Sequence, residues 1–199
     1  MNDSVFVHTP GELNRIADDV LRYAREKGAT AAAVGVSDSN GLSVSVRKGN
    51  VETIERNQDK AVGVTVYIGK RRGNATSSDF SAQALRATVE AAWNIASFTA
   101  EDESAGLPDE DMIERNPQDL QLYYPWRIVA DEAVEIASRC EAAAFAVDKK
   151  IANTEGAMVS VHHSHFVSAD SQGFRGGYPY SRHAISVTPI AGEGSGMQR

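Results

Sequence analysis

The hydrophobic positions change period several times along the chain, and each change marks an element. Leu13, Ile16, Ala17, Val20, Leu21 and Ala24 recur at three and four residues, which lays one apolar stripe along a helix. Thr9-Pro10-Gly11-Glu12 supplies its start, with a hydroxyl cap, proline in the first turn and a glutamate placed to return a hydrogen bond. Gly28 marks its end. The period then falls to two. Ala32, Val34 and Val36 predict one strand and Leu42, Val44 and Val46 a second, with Asn40-Gly41 between them as a hairpin turn. A further tight turn at Gly49-Asn50 leads into a short charged strand, Val51 to Arg56, and then a better buried one carrying Val62, Val64, Val66 and Ile68. Gly69 to Gly73 is expected to turn the chain into a polar strand, Asn74 to Ser78, suited to a sheet edge.

A helix over Ser81 to about Thr99 carries Leu85, Val89, Ala92, Ile95 and Ala96 on one stripe. An alanine-rich helix is expected from Trp126 to Val147, followed by strands at Ala157 to His163, His165 to Asp170 and Ala184 to Ala191, with a turn at Ser171-Gln172-Gly173. Tight turns join the strands where crossover helices would be needed for parallel pairing. The expected fold is therefore α+β: largely antiparallel sheets with helices packed on one face, in two small sub-domains. Gly106, Pro108 and Pro117 place the boundary between them. This gives an amino-terminal domain over 1–100 (helix, five-strand meander, helix), a linker over 101–125, and the start of a second domain over 126–199.

Composition narrows the function classes. The 199 residues are 42% hydrophobic and 24% charged, as in ordinary globular proteins. One cysteine, Cys140, excludes an internal disulfide and points to a reducing, cytoplasmic setting. No window approaches the roughly 18 apolar residues of a membrane span, and residues 1–9 lack the basic and apolar blocks of a secretion signal, so no membrane partner is expected. The net charge of -7 argues against direct nucleic-acid binding, which relies on Lys and Arg at phosphates. That charge resides in one place: from Glu101 to Asp119 eight acids face Arg115 alone, which reads as a solvated linker.

Candidate chemistry is sparse. His162, His163 and His165 are the metal candidates, His163 and His165 sharing a strand face, but neither a cysteine nor an obvious carboxylate is placed to complete a zinc site. Cys140 lies on an apolar stripe and reads as a small core residue. Gly194-Ser195-Gly196 has the wrong flanks for a nucleophile elbow, and Gly192, Gly194 and Gly196 lack the Lys-Ser/Thr pair of a phosphate loop. No catalytic, cofactor-binding or metal residue is therefore assigned. The polar contacts that remain for a peptide or protein partner are Arg71, Arg72, Thr76, Ser77 and Ser78. Arginine forks bind carboxylates, and a polar edge strand can accept an extended backbone.

Several stretches carry a family resemblance. Gly41 to Gly49 reads GLSVSVRKG, Val51 to Asn57 VETIERN, and Asp59 to Gly73 DKAVGVTVYIGKRRG, with ATSSD from Ala75 to Asp79. Asp119 to Tyr123, Pro125-Trp126, Arg139 to Glu141, Asn153 to Gly156, Ser171 to Phe174 and Gly177 to His183 continue it across nearly the whole chain. In these words the sequence resembles the PmbA/TldD family, in its PmbA branch, also called TldE and described as a modulator of DNA gyrase. Members are considerably longer, and Arg199 closes no expected element, so the sequence is read as the amino-terminal part of such a protein. The resemblance implies a role in a peptidase assembly acting on peptides and unfolded polypeptides. The TldD branch carries a His-Glu-x-x-x-His zinc motif and the PmbA branch is its partner subunit. No such motif occurs here, so no metal ligand carries over. The expectation is a non-catalytic part of a TldD/TldE-like complex, forming channel wall or subunit interface, without a cofactor of its own, beside a TldD-like subunit that holds zinc. Two other functions stand against it. One is a regulatory module acting on DNA gyrase or its inhibitor through the acidic stretch. The other is an autonomous metal-dependent hydrolase using the three histidines.

Overall fold

The computed structural model describes residues 5–192 and 196–198. The element order is α1 (Pro10–Glu26), β1 (Ala31–Arg47), β2 (Asn50–Ile68), β3 (Arg71–Ser77), α2 (Ala82–Phe98), α3 (Ala130–Val147), β4 (Ile151–Asp170), β5 (Arg175–Gly176) and β6 (Pro179–Ala191), with one 3-10 turn at Glu110–Met112. Among the described residues the six strands form one antiparallel sheet in the order β3-β2-β1-β4-β5, with β6 also pairing β4. Helices beside an antiparallel sheet make this an α+β fold, as the turn chemistry predicts. Among the described residues no helix is long and apolar enough to cross a membrane.

The first helix is built as its sequence implies. Thr9 Oγ1 accepts from the Glu12 N–H, and the Glu12 carboxylate accepts in return from the Thr9 N–H at 2.7 Å. Those hydrogen bonds hold the Glu12 carboxyl below the usual glutamate range. At α3 only half of such an arrangement exists. Glu132 Oε2 accepts from the Val129 N–H, and valine has no side-chain acceptor to reciprocate. α3 begins at Ala130, four residues after the expected start, and the Trp126 N–H ahead of it is donated to His163.

The strands are fewer and longer than the periodicity suggests. Asn40-Gly41 is no turn, since β1 runs straight through it. A β-carbon at Gly41 would stand 2.4 Å from Asn57 Oδ1 and 3.2 Å from the Val161 carbonyl, so this glycine serves close strand approach. The chain reverses instead at Lys48 and Gly49, both at positive φ (50° and 74°) as a two-residue hairpin requires. The two strands expected over 51–68 are one, β2, and those expected over 157–170 are one, β4. The turn before β3 is likewise only two residues, and Gly73 lies inside the strand with α2 directly above it.

The described residues fall into two compact units. The first comprises residues 5–39, 59–122 and 164–179, and the second 40–58, 123–163, 180–192 and 196–198. This spatial partition differs from the sequential one over 1–100, 101–125 and 126–199, because β1, β2 and β4 are long enough to supply residues to both units. In the first unit Leu13, Ala17 and Val20 of α1 and Leu85, Val89 and Ala92 of α2 pack on Val34, Val36, Val62, Val64 and Val66. In the second, Ile128 and the α3 residues Ala133 and Ala137 cover Leu42, Val44, Val46, Ala157, Val159 and Val161, with Cys140 half-buried at the margin. The Gly194-Ser195 segment and Arg199, considered above, lie outside the described residues.

Candidate functional site

β3 is the outermost strand of the sheet, paired to β2 from Ile68↔Arg71 to Val62↔Ser77. Alternation along it divides the five candidate contacts. Arg71 and Ser77 share the face of Gly73 and Ala75, while Arg72, Asn74 and Thr76 share the other and are exposed. Arg71 is engaged: its guanidinium stands 3.2 Å from Glu101. Lys70 Nζ donates to the Glu103 carbonyl at 2.8 Å, and the Lys70 carbonyl accepts from Asp102. The acidic stretch is thus tied to the β2–β3 turn at its beginning, while Asp109 to Asp119 stays largely exposed. Ser77 Oγ accepts from the Asp79 N–H at 3.0 Å, a local turn that ends the strand, and Ser78 lies just beyond it, exposed. What the structure brings together as an open polar row is therefore Arg72, Asn74 and Thr76 beside an edge backbone.

The three histidines are not a ligand cluster. His162 and His163 belong to the second unit and His165 to the first. His163, 4% exposed, accepts the Trp126 N–H on Nε2 at 3.2 Å and meets Asn40 Oδ1 from Nδ1 at 3.4 Å. With the amide oxygen as acceptor, Nδ1 carries the proton and the Nε2 lone pair is already used. A zinc ion needs that lone pair, so the residues present do not fit one. Tyr123 and His183 lie edge-on to the His163 ring. Among the described residues, no group of three or more His, Cys, Asp or Glu is placed to hold a metal ion.

His165 anchors a different arrangement, one that the pattern reading did not predict. Asp38, 1% exposed, accepts the His8 backbone N–H at 2.7 Å and faces His8 Nδ1 at 3.1 Å. Phe6 stacks on the His165 ring at 4.1 Å, and His165 Nε2 is buried 3.9 Å from Asp38 without a hydrogen-bond partner. Residues 6 and 8 are thereby pinned against β1 and β4 of the first unit. A signal existed in the sequence: Asp38 continues the buried register 32, 34, 36, and an acid at such a position demands partners.

Burial holds both rings below the usual histidine pKa. At His163 the neighbouring His183 and His162 push the same way, and at His165 the Asp38 carboxylate opposes the shift without reversing it. A depressed folded-state pKa means the unfolded chain takes up the proton first. The associated stability is therefore present above the ordinary histidine pKa and lost as pH falls below it. Urea denaturation should show a lower midpoint at about pH 5 than at about pH 7.5, and His163→Gln should flatten that dependence. An unchanged slope in the variant would remove His163 from the account.

Comparison with known proteins agrees with this architecture. The sequence matches the PmbA/TldA metallopeptidase domain 1 profile over residues 32–96 and the PmbA/TldA metallopeptidase central domain profile over 123–199. It is 44% identical over 187 residues to "Metalloprotease PmbA" of Escherichia coli O157:H7, covering 94% of this chain and 41% of that protein. It is 38% identical over 181 residues to "Metalloprotease PmbA homolog" of Haemophilus influenzae, covering 91% and 40%. The fold is shared with TldE from Thermococcus kodakarensis, at a TM-score of 0.77 and 17% identity over 92% of this chain and 41% of the other. It is shared also with a Bacteroides thetaiotaomicron protein described as a candidate modulator of DNA gyrase, at a TM-score of 0.83 and 19% identity, covering 94% and 43%. The chain spans about two fifths of the length of these relatives.

Proposed function

Because the chain belongs to the PmbA/TldD metallopeptidase family, we propose that it forms a non-catalytic part of a TldD/TldE-like peptidase complex in the cytoplasm. It contributes channel wall or subunit interface for peptides and unfolded polypeptides, beside a TldD-like subunit that carries the zinc and its activated water. The observation that carries this reading is the commitment of His163: its acceptor nitrogen is spent on the Trp126 N–H, inside the one cluster of histidines in the sequence. The β3 edge supports the substrate class. Outward backbone groups can hold an extended chain with little regard for sequence, while Arg72 and Thr76 supply polar contacts.

The test is to purify the full chain and a TldD-like subunit bearing His-Glu-x-x-x-His, separately and mixed, and to measure zinc per chain together with cleavage of an unfolded polypeptide. Zinc on the TldD-like subunit and cleavage in the mixture are expected, with Arg72→Glu raising KM about tenfold through lost contacts. Stoichiometric zinc and cleavage by this chain alone would overturn the reading.

A further inference from the structure

The open edge of β3 has an apolar flank above it. β3 and α2 run in opposite directions within the first unit: Gly73 lies beneath Ala92 to Ala96, and Arg71 reaches Glu101 just past the end of the helix. Ile95 stands over Gly73, its Cβ 2.9 Å from where a β-carbon there would be, and is nevertheless 49% exposed. Phe98, three residues on and so on the same side of the helix, is 92% exposed. The two charged residues of α2, Arg86 and Glu90, are turned the other way, to Glu26 and Lys27 at the end of α1. The flank beyond the strand edge therefore carries no charge, and neither of its two large side chains belongs to a core.

An added strand would fill that corner. Edge pairing places a neighbour about 4.8 Å outward. Its residues opposite Gly73 and Arg71 then lie on the α2 face, below Ile95 and Phe98, and the residue between them, opposite Arg72, lies on the other face. On that face Arg72 is exposed and makes no ion pair among the described residues, whereas Arg71 is held by Glu101. The chemistry asked of an occupant is thus specific: free main-chain groups for the edge, apolar side chains two residues apart for α2, and a carboxylate between them for Arg72. In such pairing main-chain hydrogen bonds supply affinity and alternate side chains supply selectivity. We propose that the β3 edge and the Ile95 and Phe98 flank form a binding groove that selects extended polypeptide segments in which an acidic residue stands between two apolar ones. This selectivity rests on the extended-chain role of the β3 edge given above and adds to it.

Peptide binding to the full chain, followed by fluorescence anisotropy, tests the selection. The probes are short fluorescein-labelled peptides of serine and threonine with Leu-Glu-Leu, Ser-Glu-Ser or Leu-Lys-Leu at the centre. Leu-Glu-Leu should bind about tenfold more tightly than either of the others. Ile95→Ser and Phe98→Ser should each weaken Leu-Glu-Leu about fivefold and leave Ser-Glu-Ser unchanged. Arg72→Glu should reverse the preference between Leu-Glu-Leu and Leu-Lys-Leu. N-methylation of alternate peptide nitrogens, in one of its two registers, should abolish binding, which mere adsorption to an apolar patch would survive. Equal affinity for Leu-Glu-Leu and Ser-Glu-Ser, or variants that bind as the wild type does, would overturn the groove and leave the extended-chain role of the edge standing. Absence of binding by every peptide would overturn that role as well. Hydrogen exchange showing β3 protected by a second copy or by a TldD-like subunit, with peptide excluded, would give the edge to that occupant and overturn the proposal.

Discussion

Alanine at Gly73 is expected to destabilise the first unit by about 3 kcal/mol, at the upper end of what overpacking costs. The β-carbon would stand 2.1 Å from the Ala92 carbonyl oxygen, 2.5 Å from the Ala96 nitrogen and 2.9 Å from Ile95 Cβ. Two of these are helix backbone and cannot rotate away, so α2 must lift from β3. In doing so it withdraws Leu85, Val89 and Ala92 from the core that α1 and the valines of β1 and β2 complete. The control is Gly35→Ala, at an exposed position of β1 with nothing within 4 Å of the added carbon, where no loss is expected. Urea denaturation of both variants decides the matter, and equal midpoints would show that α2 gives way cheaply.

The second large effect lies in the other unit. Glu141 of α3, 3% exposed, reaches the β1–β2 hairpin and accepts the Lys48 N–H on Oε1 and the Gly49 N–H on Oε2, each at 2.8 Å. A charged acceptor on two backbone donors is strong, and it holds a turn whose Lys48 would otherwise disfavour positive φ. Glu141→Gln keeps the shape but turns an amide NH2 against one donor. A loss of about 2–3 kcal/mol is expected, with earlier proteolysis at the hairpin than in the wild type. If the glutamine variant melts with the wild type and resists protease equally, the carboxylate is not what fixes the turn.

Neither effect could be read from the sequence, and the reason is the same for both. Thr9 to Glu12 announces a helix start because capping joins residues three apart, and the valine alternation at 62–66 announces a buried strand because the relevant neighbours are again local. Gly73 and Glu141 answer to partners in other elements, 19 and 92 residues away. Asn40-Gly41 misleads for a related reason. The pair carries the local chemistry of a hairpin, yet the third strand, at Val161, fixes what the glycine is for. The exposed run from Val51 to Lys60 likewise carries little apolar signal, although it continues a strand whose far end is core. For the candidate site, the polar character of β3 and the sharing of one face by His163 and His165 were legible. The engagement of Arg71 by Glu101 was not, nor was the use of His163 as a backbone acceptor, since both depend on how distant segments return.

The three long strands also bear on how the chain responds to being cut. A protease entering the exposed residues between Asp109 and Asp119 would sever one peptide bond and release nothing, since the first unit draws residues 164–179 from beyond the cut. The amino-terminal piece would keep β1 and the carboxyl-terminal piece β4, neighbours in the sheet, and their backbone hydrogen bonds would hold the nicked protein together. Two pieces expressed separately are in the opposite position: each lacks strands that the other supplies, so they should fold by finding one another, as a split protein does.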